Sequence, residues 1–579
     1  MSEEVLNKTL QTQKKKRDFY VNKIITSNHA KKIIVSAPGT GKTYIFHKLL
    51  ETKQGNCLAL TFINNLADKL EVELNNLAKS CTFHSFCTGM LRKTGCGLSS
   101  NFIIFPKLRL VIRSDAKLVF DKSPNFEKSF NTLDLTNKNI SFFLSRSKFY
   151  DAVSFQDCVY RVYKYLIDYP EKIPEYEQIF VDEYQDFNKL EAEFIKILAL
   201  KSPILIVGDD DQALYPGKSA SPAFIRELFD DPQFQKFDLP FCARCPKVII
   251  ESINDIISKA KRFGKLRDRI NKQVYCYLPK KLEDNIKYPY ITFVQCTIQS
   301  GKAPYIARFI EERIDKLKKE EIIDANNESE FTVLVAGPKQ YLNQIQEYFK
   351  RREDFILDLY KDADSAKNKL TIYDGYRILL RFDRYSNLGW RILLECDNSE
   401  EIITQLKKII SQKEIYEILP KHFRDLHEFN LIILEKIIKN QEVENKEIEI
   451  VEKFFNESIN EIKIKLEEEQ HFDKLEKKME KDKTSIKFTT YVGCKGLSAG
   501  FVFVLGLNEG NLPKRNSSPT DNEICKFIVS LTRTTKKCYL IYANRFGGKS
   551  EGKHSAFVYW IRRARIKPIR VNKGYWKQL

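Results

Sequence analysis

Short apolar runs recur along the chain, each closed by a polar or glycine-rich junction. Ile33-Ile34-Val35-Ser36 leads into a Pro/Gly-rich turn and then a helical stretch from Lys42. Cys57-Leu58-Ala59-Leu60-Thr61-Phe62, Gln178-Ile179-Phe180-Val181 and Ile204-Leu205-Ile206-Val207 repeat the pattern, with helical stretches between them. Continuous apolar runs of this length read as strands buried on both faces. Their alternation with helices predicts a parallel sheet covered on both sides. The pattern returns late, at Phe331 to Ala336, Ile486 to Thr490, Phe501 to Leu507 and Cys538 to Ala543, and predicts a second α/β domain. Between these, residues 88–150 are more irregular and basic, and 371–479 are mostly helical by pattern. Asn440 to Lys483 is dense in Glu and Lys at helical spacings and reads as a solvated helical face or hairpin.

Composition narrows the class. Of 579 residues, 43% are hydrophobic, which excludes a disordered chain. Lys and Arg number 96 against 77 Asp and Glu, a net charge of +19 that suggests a polyanionic partner such as nucleic acid. Thirteen cysteines without a regular framework read as reduced intracellular thiols. Met1 to Phe19 carries no apolar signal core, and Phe501 to Leu507 is far too short to span a bilayer. A cytoplasmic protein without membrane insertion is expected.

The candidate chemistry sits where strands end, which is where parallel α/β sheets bind ligands. Ser36-Ala37-Pro38-Gly39-Thr40-Gly41-Lys42-Thr43 joins a strand to a helix. Gly39 and Gly41, flanking Thr40, let backbone amides point at phosphates, and the helix N-terminus favours the same anion. Lys42 can reach β- and γ-phosphates and Thr43 can ligate magnesium, so ATP and Mg2+ are the expected cofactors. Ser36 stands where the general phosphate-loop pattern has glycine. The second junction, Val181-Asp182-Glu183-Tyr184-Gln185-Asp186, offers Asp182 to magnesium, directly or through water, and Glu183 as general base for an attacking water. The third, Val207-Gly208-Asp209-Asp210-Asp211-Gln212, places Gln212 to hydrogen-bond a γ-phosphate or that water.

Together these motifs resemble the UvrD/Rep-like branch of superfamily 1 helicases. APGTGKT, LALTFINNLADKL, TFHSFC, VDEYQDFN and IVGDDDQALY follow in the family's order. LPFCARCPKVII, YVGCKGLSAGFVFVLGLNEGNLP and IVSLTRTTKKCYLIYA then resemble its later motifs. The resemblance implies two RecA-like P-loop domains with parallel sheets, each carrying a mainly helical insertion. The first would comprise residues 1–87 and 151–235 around an insertion at 88–150. The second would comprise 236–370 and 480–579 around an insertion at 371–479. It implies an ATP-dependent translocase or helicase on single-stranded or tailed DNA, moving 3′ to 5′, with Arg244 and Arg533 as arginine fingers. Phe62, Phe83, His84 and Tyr215 would contact the strand, and Lys495 would touch its phosphates or shape a loop. Core packing is the competing reading for each aromatic.

The chain also departs from the family. Tyr215-Pro216-Gly217 lacks the usual tryptophan, and Val492-Gly493-Cys494-Lys495-Gly496-Leu497-Ser498 lacks the usual histidine and glutamate. The glutamine that reads adenine in the family is not at its usual distance upstream of the phosphate loop, and Gln13 is a weak substitute. The insertions are shorter than in full-length family members, and no nuclease domain is expected after the last motif. These departures support a rival reading: a DNA-sensing regulatory ATPase beside a separate nuclease subunit, in phage defence or repair. A small-molecule kinase is disfavoured by the paired arginine motifs and the charge. Cys242 and Cys245 form one CxxC pair without a second, which argues against zinc.

Overall fold

The computed structural model describes all residues except 1–2, 54, 62–66, 68–70, 73, 75–76, 97, 100, 135–137, 215–218, 297–303, 362–368, 398–413, 468–481, 547–548, 551, 573 and 576–579. The chain forms two compact units. The first comprises Met1–Phe83, Ile173–Lys361 and Lys478–Leu579, and the second His84–Lys172 and Asp362–Lys477.

The first unit holds two large parallel sheets. One is built from β1 (Lys31–Val35), β2 (Cys57–Thr61), β3 (Lys79–Thr82), β4 (Gln178–Val181), β5 (Ile204–Gly208) and β6 (Gln235–Phe237), in the order β3-β2-β4-β5-β1-β6. Each of β1, β2, β4 and β5 is buried along all or nearly all its length, as expected where helices cover both faces. The order makes β4, β5 and β1 neighbours, with Val181 beside Ile206 and Ile34 beside Val207. The three polar junctions seen in the sequence therefore leave the carboxyl ends of three adjacent inner strands. Helix α1 (Glu3–Ile25) precedes β1, and α2 (Lys42–Leu50) follows it. Phe46 of α2 seats the helix on the sheet, its ring 4.8 Å from that of Phe180.

The other sheet comprises β7 (Ile291–Cys296), β8 (Phe331–Ala336), β9 (Ile356–Asp358), β10 (Ser485–Thr489), β11 (Ala499–Val504), β12 (Thr534–Ala543) and β13 (Ile566–Val571), ordered β9-β10-β8-β11-β12-β7-β13. The expected run at Phe501 to Leu507 is shifted to Ala499–Val504, and the one at Cys538 to Ala543 begins earlier, at Thr534. Helix α3 (Lys247–Arg262) and helix α4 (Asp521–Leu531) pack on this sheet through Ile249, Ile256, Phe527 and Ile528. Thr520 caps α4: its hydroxyl accepts from Glu523 N–H at 3.3 Å, and the Glu523 carboxylate accepts from Thr520 N–H at 2.8 Å.

The second unit is mainly helical. Its first segment includes helices Leu108–Phe120, Lys138–Phe149 and Phe155–Asp168, and its second includes Ile372–Arg381, Asn387–Asp397 and Lys421–Ile438. Residues 151–172, which the sequence reading assigned to the first sheet segment, belong to this unit. Tyr160 accounts for that, with its ring 5.4 Å from Phe130. Buried Asp115 ties the two segments together, accepting from Arg146 Nε at 2.9 Å, Tyr150 Oη at 2.7 Å and Arg391 Nε at 3.0 Å. The Glu/Lys-rich run forms helices Asn445–Phe455 and Ile459–Glu467, which bury few side chains, chiefly Val451, Ile462 and Leu466.

Candidate functional site

The loop between β1 and α2 is shaped by two left-handed glycines, Gly39 (φ +72°) and Gly41 (φ +96°). At Gly39 the lack of a side chain is required twice, because a Cβ there would lie 2.4 Å from Arg244 Cβ and 3.0 Å from Cys242 Sγ. Ala243 N–H donates to the Gly39 carbonyl at 2.9 Å, so the Arg244 segment is clipped directly to the loop. Buried Thr40 braces the turn from inside, its hydroxyl donating to Ala37 O at 2.9 Å. Lys42 Nζ lies 3.5 Å from Ser36 O, and Thr43 follows in the first turn of α2.

The β4 junction carries the acids. Asp182 Oδ1 accepts from Glu183 N–H at 2.9 Å. Glu183 adopts φ +53°, a strained conformation for a non-glycine residue, and Gln185 Nε2 donates to its carboxylate. Gln185 Oε1 accepts from Asp209 N–H at 2.9 Å and so joins the β4 junction to the β5 junction. Burial would push the Glu183 carboxyl up, but the ammonium groups of Lys495 and Lys42 outweigh it and hold Glu183 below the ordinary carboxylate range. Asp186 behaves oppositely: burial pushes it up to about 6 in spite of Lys495.

Two arginines converge on these junctions. Arg244 stands against Gly39. Arg533, buried at the start of β12, donates through Nη2 to Gln212 Oε1 at 2.9 Å, while Nε and Nη1 are held by Val529 O at 3.0 Å and Leu497 O at 3.2 Å. Gln212 Nε2 in turn donates to Asp209 Oδ2 at 2.7 Å. Burial, and then the neighbouring Arg244, lowers the Arg533 pKa from its ordinary value. Glu183, Gln212, Arg244 and Arg533 thus gather around the phosphate loop, although they come from widely separated parts of the chain.

The expected strand contacts fare differently. Phe83 is only 1% exposed, with its ring 5.0 Å from Phe194 and 5.8 Å from Phe187, and is core rather than a stacking platform. Lys495 is also not a surface phosphate contact. Its Nζ is buried among Asp186, to which it donates, Gln212 O at 2.7 Å and Glu183 Oε2 at 3.7 Å, at the β4 and β5 junctions. The alternative loop-shaping role fits that position. His84 is half-buried against Phe155, with ring centroids 5.6 Å apart. Phe62 and Tyr215 lie outside the described residues.

Sequence reasoning missed two further groups. Arg17 of α1 lies over the rings of Tyr277, at 4.7 Å, and Tyr44, at 5.3 Å, beside the phosphate loop. Gln13 of the same helix, which the sequence already offers as the adenine reader, accepts from Leu278 N–H at 2.8 Å. Lys272 and Arg269 bind the acidic turn Asp209–Asp211, which is the only group of three or more candidate metal ligands among the described residues. Nothing in the local sequence around Lys272 distinguishes it from the chain's other lysines; only the fold brings it to the acids.

Comparison with known proteins bears on this arrangement. The family model described as the UvrD/REP helicase N-terminal domain matches residues 19–137 and 113–233. The chain is 23% identical to a probable DNA helicase II homolog of Mycoplasma genitalium, over 93% of this chain and 86% of that protein. It is 25% identical to an ATP-dependent DNA helicase Rep of Buchnera aphidicola, over 91% of this chain and 94% of that protein. The chain is UvrD/Rep-like. A shorter match, 26% identical over 39% of the chain and 37% of the relative, is to an ATP-dependent DNA helicase PcrA of Staphylococcus epidermidis. The likeness to the first two relatives spans both parallel sheets and the helical unit. Among the described residues of this UvrD/Rep-like chain, no helix is long and apolar enough to cross a membrane.

Proposed function

We propose that the chain is an ATP-dependent DNA helicase or translocase built on two RecA-like domains, one around each parallel sheet. Relatives named as ATP-dependent DNA helicases support this reading, as does the net charge of +19. The single observation that carries it is the meeting of Gln212 with Arg533 and of Gly39 with Arg244. A phosphate loop alone binds a nucleotide. A phosphate loop faced by two arginines from the other sheet's side can feel whether a γ-phosphate is present.

In this reading the amides from Gly39 to Lys42, with the Lys42 ammonium, bind the phosphates. Glu183 accepts the proton of the attacking water, and Gln212 orients the γ-phosphate. Arg244 and Arg533 stabilise the charge that develops on the transferred phosphoryl group. The Thr43 hydroxyl and Asp182 carboxylate are hard oxygen donors at the right loop positions and would hold Mg2+, which neutralises phosphate charge when bound. Exposed Tyr44 and the Arg17 guanidinium, itself backed by the Tyr277 ring, offer stacking surfaces for the base. Contacts that exist only with ATP in place would close the two sheets' domains, and hydrolysis would release them, giving a step along single-stranded DNA, 3′ to 5′.

One observation favours the second reading, a DNA-sensing ATPase that acts beside a nuclease subunit: burial of Phe83 and Lys495 removes two of the expected strand contacts. The test for both is ATP turnover with and without single-stranded DNA, with Glu183→Gln as the blank, followed by unwinding of a 3′-tailed duplex. DNA-stimulated turnover with unwinding supports the helicase. Stimulation with neither unwinding nor movement along the strand supports the sensor, and turnover retained in Glu183→Gln sinks the assignment of the base.

A further inference from the structure

Three consecutive carboxylates, Asp209, Asp210 and Asp211, are almost fully buried at the end of β5. Bringing three like charges together out of water is unfavourable unless each is paired and hydrogen-bonded. The Lys272 ammonium meets all three: it lies 2.7 Å from Asp209 Oδ1 and 2.9 Å from Asp211 Oδ2, and it donates to Asp210. Arg269 Nε adds two bonds to Asp211, at 2.7 and 2.9 Å, and Arg226 Nε lies 3.1 Å from Asp210 Oδ2. The backbone N–H of Ile270 donates to the same Asp210 oxygen at 2.9 Å. Three acids thus face three cations. Lys272 and Arg269 lie in the connection after α3, a helix that packs in the core of the second sheet. The acidic turn of the first sheet is therefore fixed from the other sheet's side.

Asp209 uses its two oxygens for different purposes. Oδ1 meets Lys272 Nζ at 2.7 Å and accepts from Asp211 N–H at 3.2 Å, and Oδ2 accepts from Gln212 Nε2 at 2.7 Å. An amide whose nitrogen is held this way must turn its oxygen elsewhere, and here that oxygen meets Arg533 Nη2 at 2.9 Å. We propose that Lys272 is a positioning residue for the Gln212–Arg533 pair: by occupying one face of Asp209 it fixes the other face, and so the rotamer of Gln212. The inference rests on the ATP-hydrolysing reading of the site and adds to it a residue that touches neither nucleotide nor water. If Lys272 only neutralised the acidic turn, its loss would harm the fold without regard to Gln212. If it positions Gln212, its loss matters only while Gln212 is there to be positioned.

A double-mutant cycle separates the two cases. Lys272→Met in the wild-type background should lower DNA-stimulated kcat about tenfold or more while moving KM for ATP by no more than about twofold. In a Gln212→Ala background the same substitution should change kcat by less than about twofold. Equal losses in both backgrounds, or an unchanged kcat in the single variant, would overturn the proposal. If the melting curve shows that Lys272→Met does not fold, the pair Lys272→Met/Asp210→Asn, which removes one charge of each sign, takes its place in both backgrounds with the same expected outcomes. Wild-type protein measured in the same assay guards the underlying reading, since no turnover there would sink the ATPase assignment itself and the positioning role with it.

Discussion

Gln212 Oε1 lies 2.9 Å from Nη2 of Arg533, a residue 321 positions further along the chain. The bond joins the end of β5 to the start of β12 and is made by side chains that are both buried. A guanidinium fixed by Val529 O, Leu497 O and Gln212 is preorganised, so it can stabilise developing charge without rearranging. Arg533→Lys keeps the charge but loses this fork, which needs several donors in one plane. DNA-stimulated kcat should fall roughly a hundredfold with little change in ATP affinity. Steady-state turnover and nucleotide titration measure the two separately, and a kcat near wild type would remove Arg533 from the reaction.

Gly39 and Arg244 give an independent prediction. Gly39→Ala would force an L-residue to φ +72° and press its Cβ to 2.4 Å from that of Arg244. The backbone strain alone costs about 1–2 kcal/mol, and the clash must be relieved by displacing either the loop or the arginine segment. ATP binding should weaken about tenfold or more. Arg244→Gly in the same chain removes the clashing atom and should recover part of the affinity, though not the turnover. Isothermal titration with a non-hydrolysable ATP analogue reads this out. Unchanged affinity in Gly39→Ala would mean that the loop does not need its close approach to Arg244.

Phe83 tests the boundary between core and strand contact. The ring is buried against Phe187 and Phe194, so Phe83→Ala should cost about 3–5 kcal/mol of stability. Single-stranded DNA affinity, measured well below the melting transition, should stay within about twofold, because a base stacked on an exposed ring is what carries such binding. A large loss of DNA affinity with an unshifted melt would return Phe83 to the strand surface.

What could be read from the sequence follows from where the determining interactions lie. Strands β1, β4 and β5 are buried on both faces, so they appear as uninterrupted apolar runs, and their polar exits appear as motifs. Gly39, Lys42, Asp182 and Glu183 are legible because each sits in a junction that directly follows an apolar strand. The choice between the two readings of Lys495 turns on Asp186, 309 positions away, and Lys272 escapes notice because its partners at Asp209–Asp211 are some 60 positions away. Neither pairing leaves a local trace. Phe83 shows a third kind of limit: a ring next to a half-exposed histidine is spelled the same way whether it faces solvent or core. Its burial is set by Phe187 and Phe194 on distant elements.

The helical unit carries a pH dependence of its own. His427, on helix Lys421–Ile438, is 4% exposed and packed among the rings of Phe423, Trp390 and Tyr376, with Nδ1 sharing a hydrogen bond with Tyr376 Oη at 2.7 Å. Burial lowers its pKa from the ordinary 6.5 to about 4. The folded unit therefore refuses a proton that the unfolded chain accepts. Above about pH 6.5 neither state is protonated and the residue adds no pH dependence. As pH falls from about 6.5 to about 4 the unfolded state gains a proton alone, and stability drops by roughly 3 kcal/mol over that window. Below about 4 both states are protonated and the loss levels off. His427→Phe keeps an apolar ring in the aromatic cluster and removes the titration. Hydrogen exchange of amides in Lys421–Ile438, followed from pH 7 to pH 4 and corrected for intrinsic rates, should show protection falling steeply in the wild type and less steeply in the variant. Parallel slopes in the two proteins would show that other groups, and not His427, set the acid sensitivity of this unit.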